Sequence, residues 1–234
     1  MQKEQSAIIF FASITPQGLS DKRCSERIKD YSTSLEIISK YATELQIELR
    51  IVENTLSSKD AWVNSGMYFE EGLKIDFILK NSGLLNKGIG ELDMAAFALS
   101  TWDITKFKKV IWFSGRHILT SENSLKRCLN SLAEVVVSNP DFYFLDGDKR
   151  ATEKDGLLND MMFAMSGQVF KNYISTFELR RTELVEKNVG SEQNLYQFVK
   201  DNGLTVDWMM HLGVLRREYV TKWRWYETSQ WHFC

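Results

Sequence analysis

Short apolar runs alternate with longer stretches of helical period along the first half of the chain, and that order restricts the fold more than any other feature. Residues 7–14 (Ala-Ile-Ile-Phe-Phe-Ala-Ser-Ile) read as a buried strand closed by Thr15-Pro16-Gln17-Gly18. Residues 24–45 place Ile28, Tyr31, Leu35, Ile38, Tyr41, Ala42 and Leu45 at helical spacing. Residues 47–52 alternate and end in the polar tip Glu53-Asn54-Thr55. A short helix is expected over 60–71, a third strand over 75–79, a helix over 89–102 and a strand over 109–113. In the third helix Ala95, Ala96, Ala98 and Leu99 suit close packing on a sheet. Strand and helix taken in turn predict an α/β fold, a mostly parallel sheet with helices on its faces.

The second half is less regular. Helices are expected over 122–133, 168–187 and 191–202, and strands over 134–137, 142–145 and 161–165. Residues 206–215 are apolar, and 216–234 form a basic, tryptophan-rich tail. Only Pro16 and Pro140 occur, and no linker or low-complexity segment interrupts the chain, which favours one continuous domain.

With 234 residues, 44% of them hydrophobic, the chain has the material for a full core. A formal net charge of -2 offers no global electrostatic case for nucleic acid. The three cysteines, Cys24, Cys128 and Cys234, lack metal-like spacing and read as reduced thiols of a cytoplasmic protein. Segment 7–14 is too short to span a bilayer and has neither the basic lead nor the cleavage pattern of a signal peptide.

Ligands of parallel sheets collect at the carboxyl ends of the strands. There this sequence puts Ser13, Glu53-Asn54, Asn86-Lys87 and Ser114-Gly115-Arg116. Asn86-Lys87-Gly88-Ile89-Gly90-Glu91 marks the passage into a helix, whose first N–H groups and positive dipole end favour an anion. The same residues also suit a plain turn in which glycine supplies the φ angle. Arg116 can clamp a diphosphate through two parallel hydrogen bonds or form a surface ion pair, and Gly115 beside it permits close ligand approach. Asp146-Gly147-Asp148 fits a carboxylate pair for magnesium or manganese, and equally a turn. Glu192 can serve as a general base or, with Ser191 as N-cap, simply favour the helix start. His117, His211 and His232 show no metal spacing, and no nucleophile elbow, Walker loop or dinucleotide glycine motif occurs.

Taken in order, Ile51-Val52-Glu53-Asn54, Asn86-Lys87-Gly88-Ile89-Gly90-Glu91, the strand 110–113 with Ser114-Gly115-Arg116, and the late Glu192-Gln193-Asn194-Leu195 resemble bacterial capsule and lipopolysaccharide glycosyltransferases of the nucleotide-diphospho-sugar (GT-A) type. That resemblance implies one GT-A-like domain over 1–234, with a nucleotide-binding half at about 1–120 and an irregular acceptor-side half at about 121–234. It implies sugar transfer from a nucleotide-sugar donor, a UDP-sugar by preference, to a surface-polysaccharide or lipid-linked glycan acceptor. Ser13, Glu53, Asn86, Lys87, Gly88, Glu91, Ser114 and Arg116 would then hold the donor. Glu192 would be the base, with Asp148 as second choice, and Asp146 and Asp148 the holders of any divalent cation. Arg116 stands where many relatives keep an Asp-x-Asp pair, so a cation of the chain itself can replace metal charge. The expected setting is the cytoplasm, at the inner membrane face if the basic, tryptophan-rich tail meets lipid. The competing expectations are a non-catalytic nucleotide-sugar-binding subunit of a polysaccharide assembly complex and a nucleotidyltransferase.

Overall fold

The computed structural model describes residues 5–78, 87–138, 158, 160–209, 214–218 and 230–233. Its centre is β1 (Ser6–Ala12), a run of apolar residues buried on both sides. Such strands lose the usual polar alternation because neither face meets water. Ile8, Phe10 and Ala12 pack with α1 (Asp21–Leu45), while Ala7, Ile9 and Phe11 pack with α3 (Lys87–Thr101) and α5 (Gly167–Glu186).

On one side β1 pairs in parallel with β2 (Glu48–Glu53), which pairs in parallel with β3 (Lys74–Phe77). On the other side it pairs in parallel with β4 (Lys109–Ser114). Beyond β4 lie β7 (Met162–Met165), β6 (Val135–Ser138) and β8 (Val206–Met209), giving the order β3-β2-β1-β4-β7-β6-β8. β7 runs antiparallel to both neighbours, so the sheet is mostly parallel with one reversed strand. A smaller antiparallel sheet joins β5 (Ile118–Leu119), β9 (Val214–Glu218) and β10 (Gln230–Phe233).

Local chemistry sets the helix ends. Ser20 caps α1 by accepting from the N–H of Arg23, and Gln46 ends it in the left-handed region at φ 57°. The helix expected over 60–71 is only α2 (Lys59–Asn64), because Gly66 at φ 83° turns the chain out of it. α4 spans Asn123–Asn130 and α6 spans Ser191–Asp201. Gly190, not the expected Ser191, occupies the N-cap of α6, which frees the Ser191 hydroxyl for another partner. The apolar stretch 206–215 divides between β8 and β9, and the tail contributes backbone to the smaller sheet. The strand expected over 142–145 lies outside the described residues. No described helix is long and apolar enough to cross a membrane.

Candidate functional site

The carboxyl edge of the sheet is assembled around the end of β1. The Ser13 hydroxyl donates to Asn54 Oδ1 at 2.6 Å, and the Asn54 N–H donates to the Ala12 carbonyl at 3.3 Å. The Thr15 N–H donates to Thr55 Oγ1 at 2.9 Å, so the turns after β1 and β2 are laced together. Glu53 lies beneath that lacing and is fully buried. Its Oε1 accepts from the Thr55 hydroxyl, the Thr55 N–H and, at 2.9 Å, the Leu56 N–H. Its Oε2 is buried without a hydrogen-bond partner. Burial pushes the carboxyl up to about 7, against the opposing pull of those donors. Glu53 therefore shapes the turn from below, whereas Ser13 and Asn54 form the lip.

Helix α1 brings a polar face to this edge beside its apolar stripe. Arg27, Tyr31 and Ser34 follow helical i, i+4, i+7 spacing and share one face. Arg27 Nη2 donates to the Ser13 carbonyl at 2.5 Å and to the Tyr31 hydroxyl at 3.2 Å, and the Ser13 N–H donates to the same hydroxyl at 3.2 Å. The Ser34 hydroxyl donates to the carbonyl of His117. One helix face thus fixes the loop after β1 and the turn after β4.

In that second turn the Gly115 N–H donates to the Phe11 carbonyl at 2.9 Å. A Cβ at 115 would come within 2.3 Å of the Phe10 ring and 2.7 Å of the Phe11 carbonyl. Glycine is required there for the approach of β1 itself, a more direct reason than the expected approach of a ligand. Arg116, half-buried, and Glu91 both act electrostatically on the Tyr31 hydroxyl, whose pKa burial raises. The Ser114 hydroxyl donates to Glu91 Oε1 at 2.9 Å, joining the end of β4 to the start of α3.

α6 closes the other side. A Cβ on Gly88 would sit 2.5 Å from the Ser191 backbone nitrogen, so α3 and α6 begin in close contact. Gly88 serves this packing and has no positive φ. The Ser191 hydroxyl donates to Asp160 Oδ2, and the Leu158 N–H donates to the Glu192 carbonyl at 3.1 Å. Burial raises the Tyr173 hydroxyl's pKa, and Asp160, Glu192 and Glu91 raise it further. Asn194 Nδ2 donates to that hydroxyl at 3.4 Å, which sets the phenol against α6. That phenol belongs to a run of packed rings: Phe11 to Trp112 at 4.2 Å, Trp112 to Phe163 at 5.1 Å, Phe163 to Tyr173 at 6.2 Å and Tyr173 to Phe198 at 5.1 Å.

Of the residues expected from sequence, Ser13, Gly88, Glu91, Ser114, Arg116 and Glu192 come together on this edge. Lys87 is the first residue of α3. Asn86, Asp146 and Asp148 lie outside the described residues. Among the described residues, no group of three or more His, Cys, Asp or Glu side chains could hold a metal ion. Sequence reasoning passed over Arg27 and Asp160 and read Tyr31 only as an apolar position of the helix. The available signal was a polar face running beside the apolar stripe of α1, with an arginine four residues before a tyrosine.

The sheet order, its single reversed strand and its polar carboxyl edge define a GT-A-type fold, the fold of nucleotide-diphospho-sugar transferases. Among solved structures, the chain is similar to a protein of Desulfovibrio desulfuricans G20 provisionally assigned as such a transferase, with 11% identity, 88% of this chain and 80% of that chain covered, and a TM-score of 0.50. It is similar to the galactosyltransferase LgtC, solved with donor and acceptor sugar analogues, at 12% identity over 86% of this chain and 72% of that one, TM-score 0.53. It is also similar to a protein of Bacillus anthracis provisionally assigned as a glucose-1-phosphate thymidylyltransferase, at 10% identity over 97% of this chain and 89% of that one, TM-score 0.54. No protein-family model matches the chain, and no curated protein matches it by sequence.

Proposed function

We propose that this chain is a glycosyltransferase that moves a sugar from a nucleotide-diphospho-sugar to a hydroxyl of a glycan or lipid-linked acceptor. The observation that carries this reading is the separation of charge along the sheet edge. Arg27, on the Ser13 carbonyl, and Arg116, in the turn after β4, stand toward one end, Asp160, on the Ser191 hydroxyl, and Glu192, in the first turn of α6, toward the other, and Glu91 takes the Ser114 hydroxyl at the start of α3. A nucleotide-sugar needs that polarity. Its diphosphate requires cations and N–H groups to stabilise the charge that builds as it departs. Its sugar must meet an acceptor hydroxyl next to a carboxylate that can take the proton.

In this reading Ser13, Ser114, Arg116 and Lys87 engage the donor, and Glu192 is the base. The Asp160–Ser191 contact holds the α6 start that carries Glu192. A divalent cation, if the enzyme uses one, would supply further charge at the diphosphate, with Asp146 and Asp148 as its candidate holders. The acceptor belongs to surface-polysaccharide assembly and the protein works in the cytoplasm, with the C-terminal tail as the segment to meet a membrane face.

The test begins with thermal shift of the purified chain in UDP-, GDP- and CMP-sugars, with manganese or with EDTA. A ligand bound only by the folded state raises its melting temperature. Slow release of nucleotide from the stabilising donor, reduced at least about 100-fold by Glu192→Gln with donor binding intact, supports the transferase. Donor binding without nucleotide release by the wild type would assign a binding subunit instead. The likeness in fold to a thymidylyltransferase adds one arm. Pyrophosphate released from a nucleoside triphosphate and a sugar phosphate would identify a nucleotidyltransferase.

A further inference from the structure

Ser13 is the first residue past the end of β1, and the parallel ladders to β2 and β4 carry β1 only as far as Ala12. Backbone polar groups that leave a buried ladder need other partners. Helix α1 supplies them. The Ser13 N–H donates to the Tyr31 hydroxyl at 3.2 Å, and Arg27 Nη2 donates both to the Ser13 carbonyl at 2.5 Å and to that hydroxyl at 3.2 Å. The three bonds close a ring around one residue of the loop.

The ring is held from below. Arg27 and Tyr31 stand one helical turn apart, and the guanidinium carbon lies 5.4 Å from the Tyr31 ring centroid. Tyr31 is buried and meets Phe10 edge-on at 6.3 Å, so the core fixes the hydroxyl on which Ser13 hangs. Ser13 itself is half-buried, and its hydroxyl donates to Asn54 Oδ1 at 2.6 Å. A hydroxyl has one proton and two lone pairs. With the proton given to Asn54, Ser13 meets a ligand as an acceptor, of an O–H or an N–H. Turning the Ser13 backbone would swing that hydroxyl off Asn54.

We infer that Arg27 and Tyr31 are positioning residues of the donor site: they hold Ser13 by its backbone so that its hydroxyl stays on Asn54 and offers the donor an acceptor. The inference rests on the proposed donor role of Ser13 and adds two helix residues that act through it. Their loss weakens donor binding and spares the transfer step.

The probe is whichever of UDP, GDP and CMP stabilises the wild type in thermal shift, titrated into the full chain by calorimetry. Tyr31→Phe keeps the ring and deletes the acceptor of two of the three bonds. It is expected to weaken the nucleotide about tenfold, as Ser13→Ala does, with the double variant within about twofold of either single one. With the matching nucleotide-sugar, the donor KM should rise in step while kcat holds. Arg27→Lys, which keeps a donor for the Ser13 carbonyl, should bind the nucleotide more tightly than Arg27→Met. In the ligand-free Tyr31→Phe chain the Ser13 amide should exchange its hydrogen faster, beside unchanged β1 amides. Losses that add in the double variant would make Tyr31 act independently of Ser13 and overturn the inference. Wild-type affinity in Tyr31→Phe or in Ser13→Ala, or an unchanged Ser13 amide, overturns it as well, while nucleotide binding leaves the transferase reading in place. If Tyr31→Phe fails to fold, Arg27→Met carries the same cycle with Ser13→Ala, and wild-type affinity there is the overturning result. Absence of any nucleotide binding by the wild type would sink the transferase reading and the inference together.

Discussion

The Ser114 hydroxyl at the end of β4 donates to the Glu91 carboxylate in α3 at 2.9 Å, tying a strand end to the helix start beside it. Removing the hydroxyl takes a donor from a half-buried carboxylate that sits between the cationic and anionic ends of the site. Ser114→Ala should cost about 1 kcal/mol in urea denaturation. A shift in urea midpoint with an unchanged slope would identify the loss as one of stability alone.

Gly88 is required by packing. Gly88→Ala places a methyl 2.5 Å from the Ser191 nitrogen and 2.7 Å from its hydroxyl, and backbone cannot move aside as a flexible side chain does. The expected loss is about 1–3 kcal/mol. Gly190→Ala is the control, since its Cβ would meet only the end of the Glu192 side chain at 2.9 Å. Melting temperatures of the two variants should therefore separate, with Gly190→Ala near the wild type.

Glu53 makes stability depend on pH. Burial pushes its carboxyl up to about 7 in the folded chain, from an ordinary 4.5. Between those values the folded state holds a proton that the unfolded state has released, so stability falls as pH rises. The contribution is complete below 4.5 and gone above about 7. From pH 5 to pH 8 wild-type stability should drop by about 2–3 kcal/mol from this group. Glu53→Gln, neutral throughout, should flatten the profile measured by urea midpoints, and an equal slope in both proteins would contradict the assignment.

The two described cysteines should differ in reactivity. Cys128 is buried against the sheet and its thiol is pushed up to about 12 by that burial, whereas Cys24 is half-buried on α1. Iodoacetamide at pH 8 should label Cys24 and spare Cys128 until denaturant is added, as peptide mass spectrometry would read.

Asp160 supports the start of α6 by accepting the Ser191 hydroxyl. Asp160→Ala should lower sugar transfer by up to about 100-fold through loss of alignment, with donor affinity unchanged. A fall in donor affinity instead would move Asp160 to the donor end of the site. Separate measurement of donor binding and single-turnover rate distinguishes the two.

The strand and helix order could be read directly from the chain. Apolar period records which faces are buried, and in β1 the unbroken run Ala7–Ala12 already reported burial on both sides. Polar residues at strand ends marked the carboxyl edge of the sheet for the same reason, since a buried strand has no other place for them. Ser13, Ser114 and Arg116 lie at that edge. Reversal of β7 left no trace, because residues 162–165 are apolar whichever way the strand runs.

The candidate site was decided by contacts between residues distant along the chain. Arg27 and Tyr31 face Ser13 across the β1–α1 connection, Asp160 takes Ser191, and Gly88 makes room for α6. None of these pairs has a local spacing that announces it. Glu53 shows the limit most clearly: from sequence it belonged to a polar tip, but the folded chain puts it beneath that tip and sets its charge by burial. Local pattern determines which segments become strands and helices. Only packing decides which polar side chains are shut inside and which are left to meet a ligand.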